Sequence, residues 1–333
     1  MSTDTIQRPI GEIARTMVSG GRGILAADES VSTMNSRLEG AGVPPTVEQR
    51  RAYRAMLVTT PGLSAWISGI ILSEDIFTAS TGDGKPFPVA CVEAGMLAGI
   101  KVDTGAKALA GAPDETVTEG LDGLRERLES YAAAGASFTK WRAVIKIGDG
   151  LPTPRAIAAN AQALARYAAL VQEAGLVPIV EPEVLMTGEH SLDRCAAVTE
   201  TTLRSIFDEL TAQGVALEGM VLKPNMVVPG DRCATSSSPA EVASATIRTL
   251  RRTVPVAVPG IAFLSGGQGV EMATTHLAEM NGLGPHPWEL SFSFGRALVD
   301  LALKAWRGEP GLAGDGQQAL AERARANAQA RAA

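Results

Sequence analysis

A single-domain α/β fold, the closed (β/α)8 TIM barrel, is the architecture this sequence predicts. Three observations point to it. Short β-rich runs alternate with longer stretches of helical periodicity, there are eight such runs, and charged residues sit inside several of them, where an ordinary buried strand carries apolar side chains. The 333 residues would also accommodate two domains of ordinary length, but one barrel of this kind needs roughly 250 residues and grows by insertion. Hydrophobic residues make up 45% of the chain and aromatics only 4%, so the core must be built from Ala, Val, Ile and Leu. That composition argues against a disordered chain, a collagen or a solvated stalk.

In chain order the strand runs are 23–28 (GILAAD), 65–72 (AWISGIIL), 99–103 (GIKVD), 138–145 (FTKWRAVI), 177–184 (VPIVEPEV), 219–227 (GMVLKPNMV), 260–265 (GIAFLS) and 289–294 (ELSFSF). Helical periodicity falls at 46–58, 115–134, 155–174, 191–213, 238–252, 268–281 and 296–307. Strands joined through helices are parallel, because a parallel neighbour needs a crossover of about a dozen residues or more. Eight repeats favour a closed ring over an open sheet, and GILAADES is not the Gly-rich fingerprint that opens a doubly wound dinucleotide fold. Gly135, Gly175 and Gly308 mark helix C-termini. Segment 73–88 is turn-rich and reads as an excursion at one rim of the barrel. The expected organisation is an N-terminal helical extension at 1–22, the barrel at 23–308 and a C-terminal helix or tail at 309–333.

The formal net charge of −6 disfavours a nucleic-acid partner as a global property, though it leaves room for local basic pockets. Cys91, Cys195 and Cys233 are too few and too scattered for a disulfide framework, and His190, His276 and His286 offer no ligand spacing. No metal and no other cofactor is expected. The chain has no apolar run of about 18 residues, and its first residues lack an apolar signal core, so a cytoplasmic protein without membrane contact is expected. Trp66 and Trp141 are expected to pack on strands, Trp306 to anchor the last barrel helix, and Arg125 to Arg127 to lie on a solvated helix face. His190, near a helix start, reads as a cap or surface residue.

Chemistry is concentrated in the strands. Lys101 and Asp103, Lys140 and Arg142, and Glu181 and Glu183 are each spaced by two, so each pair shares one face of its strand. Turned outward, such charges would be buried among helices at a cost of several kcal/mol; turned inward, they can neutralise one another. Most fall late in their strands, at the rim where these barrels carry active sites. Lys223 stands out, followed by Pro224, which biases it to extended geometry. An amine shielded from water beside other cations holds its proton less tightly, and a neutral amine can attack a carbonyl to form a Schiff base. Glu181 and Glu183 could shuttle the protons that such chemistry requires. Asp28 adds a carboxylate at the end of the first run, unless it merely caps the next helix.

A second constellation suits anions. Residues 264–268 (LSGGQ), with Ser265, Gly266 and Gly267, end the seventh run and open a helix, and 293–296 (SFGR), with Gly295 and Arg296, do the same at the eighth. Backbone N–H groups and helix dipoles converge at such places, the recurrent phosphate site of this architecture. Ser30, Thr33 and Arg37, after the first run, form a weaker candidate for a second anion site.

These stretches resemble the class I fructose-bisphosphate aldolases. The resemblance runs over nearly the whole chain, through GILAADES, GIKVDTG, FTKWRAVIKIGDG, ARYAALVQEAGLVPIVEPEVL, LEGMVLKPNMVVPG, TLRRTVPVAVPGIAFLSGGQ and SFSFGRALVDLALKAW. It implies metal-free, reversible cleavage of fructose 1,6-bisphosphate to dihydroxyacetone phosphate and glyceraldehyde 3-phosphate. By the same resemblance Lys223 is the Schiff-base lysine and Glu181 the acid and base of carbinolamine formation and dehydration. Asp28 takes the hydroxyl proton during cleavage, and Lys140 and Glu183 hold the charge network. Ser265, Gly266, Gly295 and Arg296 would hold the ketose-side phosphate, and Ser30, Thr33, Arg37, Lys101 and Arg142 the sugar or its other phosphate. A homotetramer is also implied. A Schiff-base lyase for another ketose phosphate and a non-catalytic binding protein on the same fold are the competing readings. The pattern departs from the family in two places: Thr33 stands where Ser is expected, and no Tyr follows Tyr167, whereas better-known members carry a terminal Tyr that assists proton transfer. Solvent exchange of the reactive proton of dihydroxyacetone phosphate is therefore expected to be slower here than in a Tyr-tailed member; equal exchange rates by NMR would refute this.

Overall fold

A computed structural model describes residues 9–332. Helix α1 (Ile10–Val18) leads into β1 (Gly23–Ala27), followed by α2 (Val31–Gly40), α3 (Val47–Val58) and β2 (Ile67–Leu72). Two short helices, α4 (Glu74–Phe77) and α5 (Phe87–Glu93), precede β3 (Leu97–Lys101) and an antiparallel hairpin of β4 (Gly105–Leu109) and β5 (Ala112–Glu119). From there strand and helix alternate: α6 (Leu124–Ala133), β6 (Phe138–Ile145), α7 (Pro154–Glu173), β7 (Val177–Val184), α8 (Leu192–Ala212) and β8 (Val221–Leu222). Then come α9 (Pro239–Thr253), β9 (Gly260–Phe263), α10 (Val270–Gly282), β10 (Glu289–Phe294), α11 (Arg296–Trp306) and α12 (Ala313–Gln329). Strands β1, β2, β3, β6, β7, β8, β9 and β10 close into one parallel barrel in the order β1-β10-β9-β8-β7-β6-β3-β2. The eight-run expectation therefore holds. Among the described residues no helix is long and apolar enough to cross a membrane.

Several boundaries differ from expectation, each for a physical reason. The stretch read as a helix over 115–134 opens as strand: Thr116-Val117-Thr118 is β-branched and pairs with β4, and α6 starts only after Gly123, a left-handed residue. The sixth run is assigned as strand only over Val221–Leu222. Pro224 has no N–H to continue the ladder, and the Asn225 side chain instead accepts the Val184 N–H at 3.0 Å. Lys223 still donates its own N–H to Val180, which keeps its backbone in register with β7. The turn-rich segment after β2 contains α4, and α5 begins inside its end. The N-terminal extension is α1, its first eight residues lying outside the described part.

Three Trp readings and one Arg reading are also sharpened. Trp141 is fully buried on β6, and Trp306 closes α11, stacking on Tyr53. Trp66 precedes β2 at the end of a single 3-10 turn. Arg127 is not a solvated residue: its guanidinium caps the Val102 and Gly120 carbonyls.

The barrel is solid at its N-terminal end. Helix α1 buries Ala14, Met17 and Val18 against Ile24, Val177, Val221 and Ala262 from the strands, plugging that mouth. Phe138 fills the interior beside β2 and β3, which leave room for it only because they carry Gly69 and Gly99. A Cβ on Gly99 would lie 2.1 Å from the Phe138 ring, and one on Gly260 2.6 Å from Val18. Helix α12 packs along α11, and beyond it Arg331 donates to the Leu290 carbonyl at 2.8 Å and to Val18 at 2.6 Å, pinning the plug in place. Gly99→Ala is expected to destabilise the protein by about 1–3 kcal/mol through overpacking, and adding Phe138→Leu to recover part of that loss. Melting temperatures of the two variants check both expectations.

Candidate active site

With the lower mouth plugged, polar chemistry is confined to the C-terminal rim. There a cavity of about 390 Å³ opens between the strand ends. Every strand-borne charge singled out from the sequence lines it: Lys101, Asp103, Lys140, Arg142, Glu181, Glu183 and Lys223, with Asp28 beside them. Ser30, Thr33, Arg37, Ser265, Gly266, Gly295 and Arg296 complete the same wall. Gly267 is set back from it, beside the Arg296 guanidinium and Met186.

Lys140 is the centre of the deepest cluster. Its Nζ lies 2.7 Å from Asp28 Oδ2 and 3.2 Å from Glu181 Oε2, and Glu181 Oε1 in turn lies 3.1 Å from Lys223 Nζ. All four side chains are buried. The spacing-of-two argument thus holds, with one refinement. Lys223 does not face bare cations, because the Glu181 carboxylate stands between it and Lys140. Two further pairs complete the ring: Lys101 with Asp103 at 2.6 Å, and Arg142 with Glu183. Asp103 also accepts the backbone N–H of Arg142 and of Gly105, which ties the β4–β5 hairpin to the rim.

The electrostatics follow from that geometry. For Asp28, burial alone would raise the carboxyl pKa, but the ammonium groups of Lys140 and Lys223 outweigh it and push it down to about 2. Glu181 is lowered for the same reason, with burial again opposing Lys140, Lys223 and Arg142. Lys140 moves the other way: burial would lower it, yet Asp28 and Glu181 raise it overall. Both carboxylates are therefore anionic at neutral pH, and Lys140 is the cation that keeps them so.

At the anion side, Gly266 and Gly267 both take positive φ in the turn after β9. Helix α10 starts at Val270, so the Ser265 turn does not open the helix directly as expected. The α11 N-terminus does meet the site: Gly295 is its cap and Arg296 its first residue. A Cβ on Gly295 would come within 3.2 Å of the Ala26 carbonyl, which restricts that position to a small residue. Arg296 is exposed and, among the described residues, outside any ion pair. The Ser30 side chain caps α2 by accepting the Thr33 N–H at 3.3 Å. The cap is thus Ser30, and Asp28 is left for the cavity. Arg37 lines the wall too, but its guanidinium is held by Glu29 and by Asp300 Oδ1 at 2.8 Å.

Sequence reasoning passed over Glu29 and the hairpin residues Gly105 and Ala106, all of which line the cavity. Ser293, which opens the SFGR stretch read as suited to anions, lines it as well. His190 is a buried residue, and the cap of α8 is its neighbour Ser191.

Residues 10–333 match the family model described as glycolytic fructose-bisphosphate aldolase class I. The chain belongs to the class I fructose-bisphosphate aldolase family. It is 53% identical over 319 residues to a probable fructose-bisphosphate aldolase class 1 of Xanthomonas campestris, covering 96% of each. It is 48% identical to fructose-bisphosphate aldolase B of Gallus gallus, over 96% of this chain and 89% of that one. The solved structure of the Plasmodium falciparum aldolase, in complex with TRAP and a small-molecule inhibitor, superposes with a TM-score of 0.96 at 43% identity. The match covers 98% of this chain and 95% of that one.

The lowered Asp28 pKa carries a sign. A carboxylate whose folded pKa lies below its unfolded value stabilises the fold above about pH 4 and loses that contribution as pH falls towards 2. Stability is expected to drop over that window, and Asp28→Asn to flatten the drop by about 2 kcal/mol. Calorimetric melting against pH reads the difference.

Proposed function

We propose that this chain is a glycolytic and gluconeogenic lyase, reversibly cleaving fructose 1,6-bisphosphate to dihydroxyacetone phosphate and glyceraldehyde 3-phosphate through a Schiff base on Lys223, without a metal. One observation carries the reading: a buried lysine 3.1 Å from a carboxylate that is itself held anionic by a second buried lysine. The Lys223 nitrogen attacks the ketose carbonyl carbon. Glu181 takes one proton from the Lys223 ammonium to free the attacking amine; a second passes from nitrogen to the carbonyl oxygen to give the carbinolamine, and Glu181 then returns the first to that hydroxyl, which leaves as water and yields the iminium. The iminium nitrogen then accepts the electron pair of the breaking carbon–carbon bond. Asp28, unprotonated beside Lys140, accepts the proton of the hydroxyl that becomes the aldehyde. Reprotonation of the enamine carbon and hydrolysis of the iminium release the second product and restore the amine. An electron sink of this kind does the work a Lewis acid would otherwise do.

Glu183 and Lys140 hold the charge balance of the site. Ser265, Gly266, Gly267, Gly295 and Arg296 are assigned to the ketose-side phosphate. The exposed Arg296 guanidinium and the α11 N-terminus support that assignment. Ser30, Thr33, Arg37, Lys101 and Arg142 are assigned to the sugar and its other phosphate. We take the catalytic unit to be the barrel at 23–308, flanked by 1–22 and 309–333. A cytoplasmic homo-oligomer, by family resemblance a tetramer, is also proposed; among relatives, one at 50% identity is described as cytosolic and one at 49% as a cytoplasmic isozyme.

Borohydride reduction in the presence of dihydroxyacetone phosphate is expected to label Lys223, as read by peptide mapping, and Lys223→Ala to lower kcat by about a thousandfold or more. A labelled peptide elsewhere would falsify the mechanism. Activity is expected to survive a chelator.

A further inference from the structure

Arg37 poses a difficulty for the reading above. Its side chain lines the cavity where a second phosphate would sit, yet both ends of the guanidinium are taken by carboxylates, Glu29 and Asp300. A phosphate arriving there must displace one of them. Asp300 is partly exposed at 38%, so water can receive it. Glu29 is only 15% exposed, and an ionised carboxylate left unpaired there is costly.

The structure places a receiver behind Glu29. The second carboxylate oxygen of Glu29 lies 2.6 Å from one terminal nitrogen of Arg54, on α3. Arg54 is 1% exposed, and Glu29 is its only ion-pair partner among the described residues. Its Nε and its other terminal nitrogen are buried with no hydrogen-bond partner. Buried donors left empty each cost about 1–3 kcal/mol, so this guanidinium has unmet demand for a carboxylate. The engaged nitrogen can form a planar fork with either of the two empty ones, which suits bidentate capture of one carboxylate.

We propose that Arg54 is a positioning residue for the second phosphate. In the free enzyme Glu29 bridges Arg37 and Arg54. When a phosphate dianion reaches Arg37, Glu29 lets go of it and swings onto the fork of Arg54, filling a donor that was empty. No carboxylate is stranded at any stage: Arg37 exchanges a carboxylate for the phosphate, and Glu29 is never without a cation. Arg54 touches no substrate and acts only through Glu29. Because Arg37 is released only when an anion claims it, its guanidinium is never left unpaired in the empty cavity.

This rests on the assignment of Arg37 to the second phosphate, and the test separates the two. Steady-state kinetics are compared for fructose 1,6-bisphosphate and for fructose 1-phosphate, which lacks the phosphate in question. If the wild-type enzyme cleaves neither, the proposed function fails; if it shows no preference for the bisphosphate, the second-phosphate assignment fails. With that preference in hand, Arg54→Met leaves Glu29 nothing but Arg37 to hold. KM for the bisphosphate is then expected to rise about tenfold, with kcat on both substrates and KM for the monophosphate within about twofold of wild type. Adding Glu29→Gln frees Arg37 and is expected to restore most of the loss. Arg54→Lys keeps the charge but not the fork, and gives the deciding result if the Met variant does not fold: a selective rise in KM for the bisphosphate of about threefold. Equal effects on both substrates, or an unchanged ratio in a folded variant, would overturn the proposal.

Discussion

Charge inside a closed barrel has to be neutralised by charge. The Lys140 ammonium bridging Asp28 and Glu181 is the interaction on which the rest of this site depends. Without it two carboxylates would face each other in a buried space, and one of them would take up a proton. With it both remain anionic, and Glu181 is left with one oxygen turned to Lys223. The wider ring repeats the pattern. Asp28, Glu181, Glu183 and Asp103 face Lys140, Lys223, Arg142 and Lys101, one cation for each carboxylate. Breaking such a buried set by removing one member costs far more than the set contributes in net stability. Its value is placement.

Placement also needs a floor. Helix α1 and Phe138 fill the lower barrel so completely that Gly69, Gly99 and Gly260 cannot accept a Cβ without displacing a neighbour. The polar cluster rests on apolar packing below and opens to solvent only at the rim. Rigid packing under a charged layer keeps the ionic distances short, and short distances in turn set the pKa directions of Asp28, Glu181 and Lys140. The C-terminal helix contributes from outside: Arg331, beyond its end, ties the start of β10 to the end of the plug helix, far along the chain from both.

An acidic chain can therefore present a cavity suited to a doubly phosphorylated sugar. The net charge of −6 is a property of the whole surface, whereas the cations converge on one rim. They are not equally available. Arg296 stands exposed at a helix N-terminus, while Lys101, Arg142 and Arg37 are each engaged by a carboxylate. Binding at the first location adds an anion to an open site, and binding at the others is an exchange of partners.

The sequence by itself determined the barrel and most of its chemistry, because both follow from local periodicities. Alternation of strand and helix sets a parallel sheet, and a spacing of two puts Lys140 with Arg142 and Glu181 with Glu183 on one face. The resemblance carried by GILAADES, VPIVEPEV and LKPNMV led to the same residues. What it did not determine depends on partners distant in the chain. The end of β5, from Glu115 on, was read as helix because its pairing with β4, not its composition, makes it strand. That the Asn225 side-chain oxygen accepts the Val184 N–H, and that Ser30 rather than Asp28 caps α2, are decided by which donor each oxygen meets in space. Most of all, the sequence shows Arg37 only as a cation in a candidate anion site, with no partner named for it. Only the tertiary structure brings Asp300 from α11 to one side of it and Glu29, backed by Arg54, to the other. A charge is legible in sequence, but its counter-charge is fixed by packing.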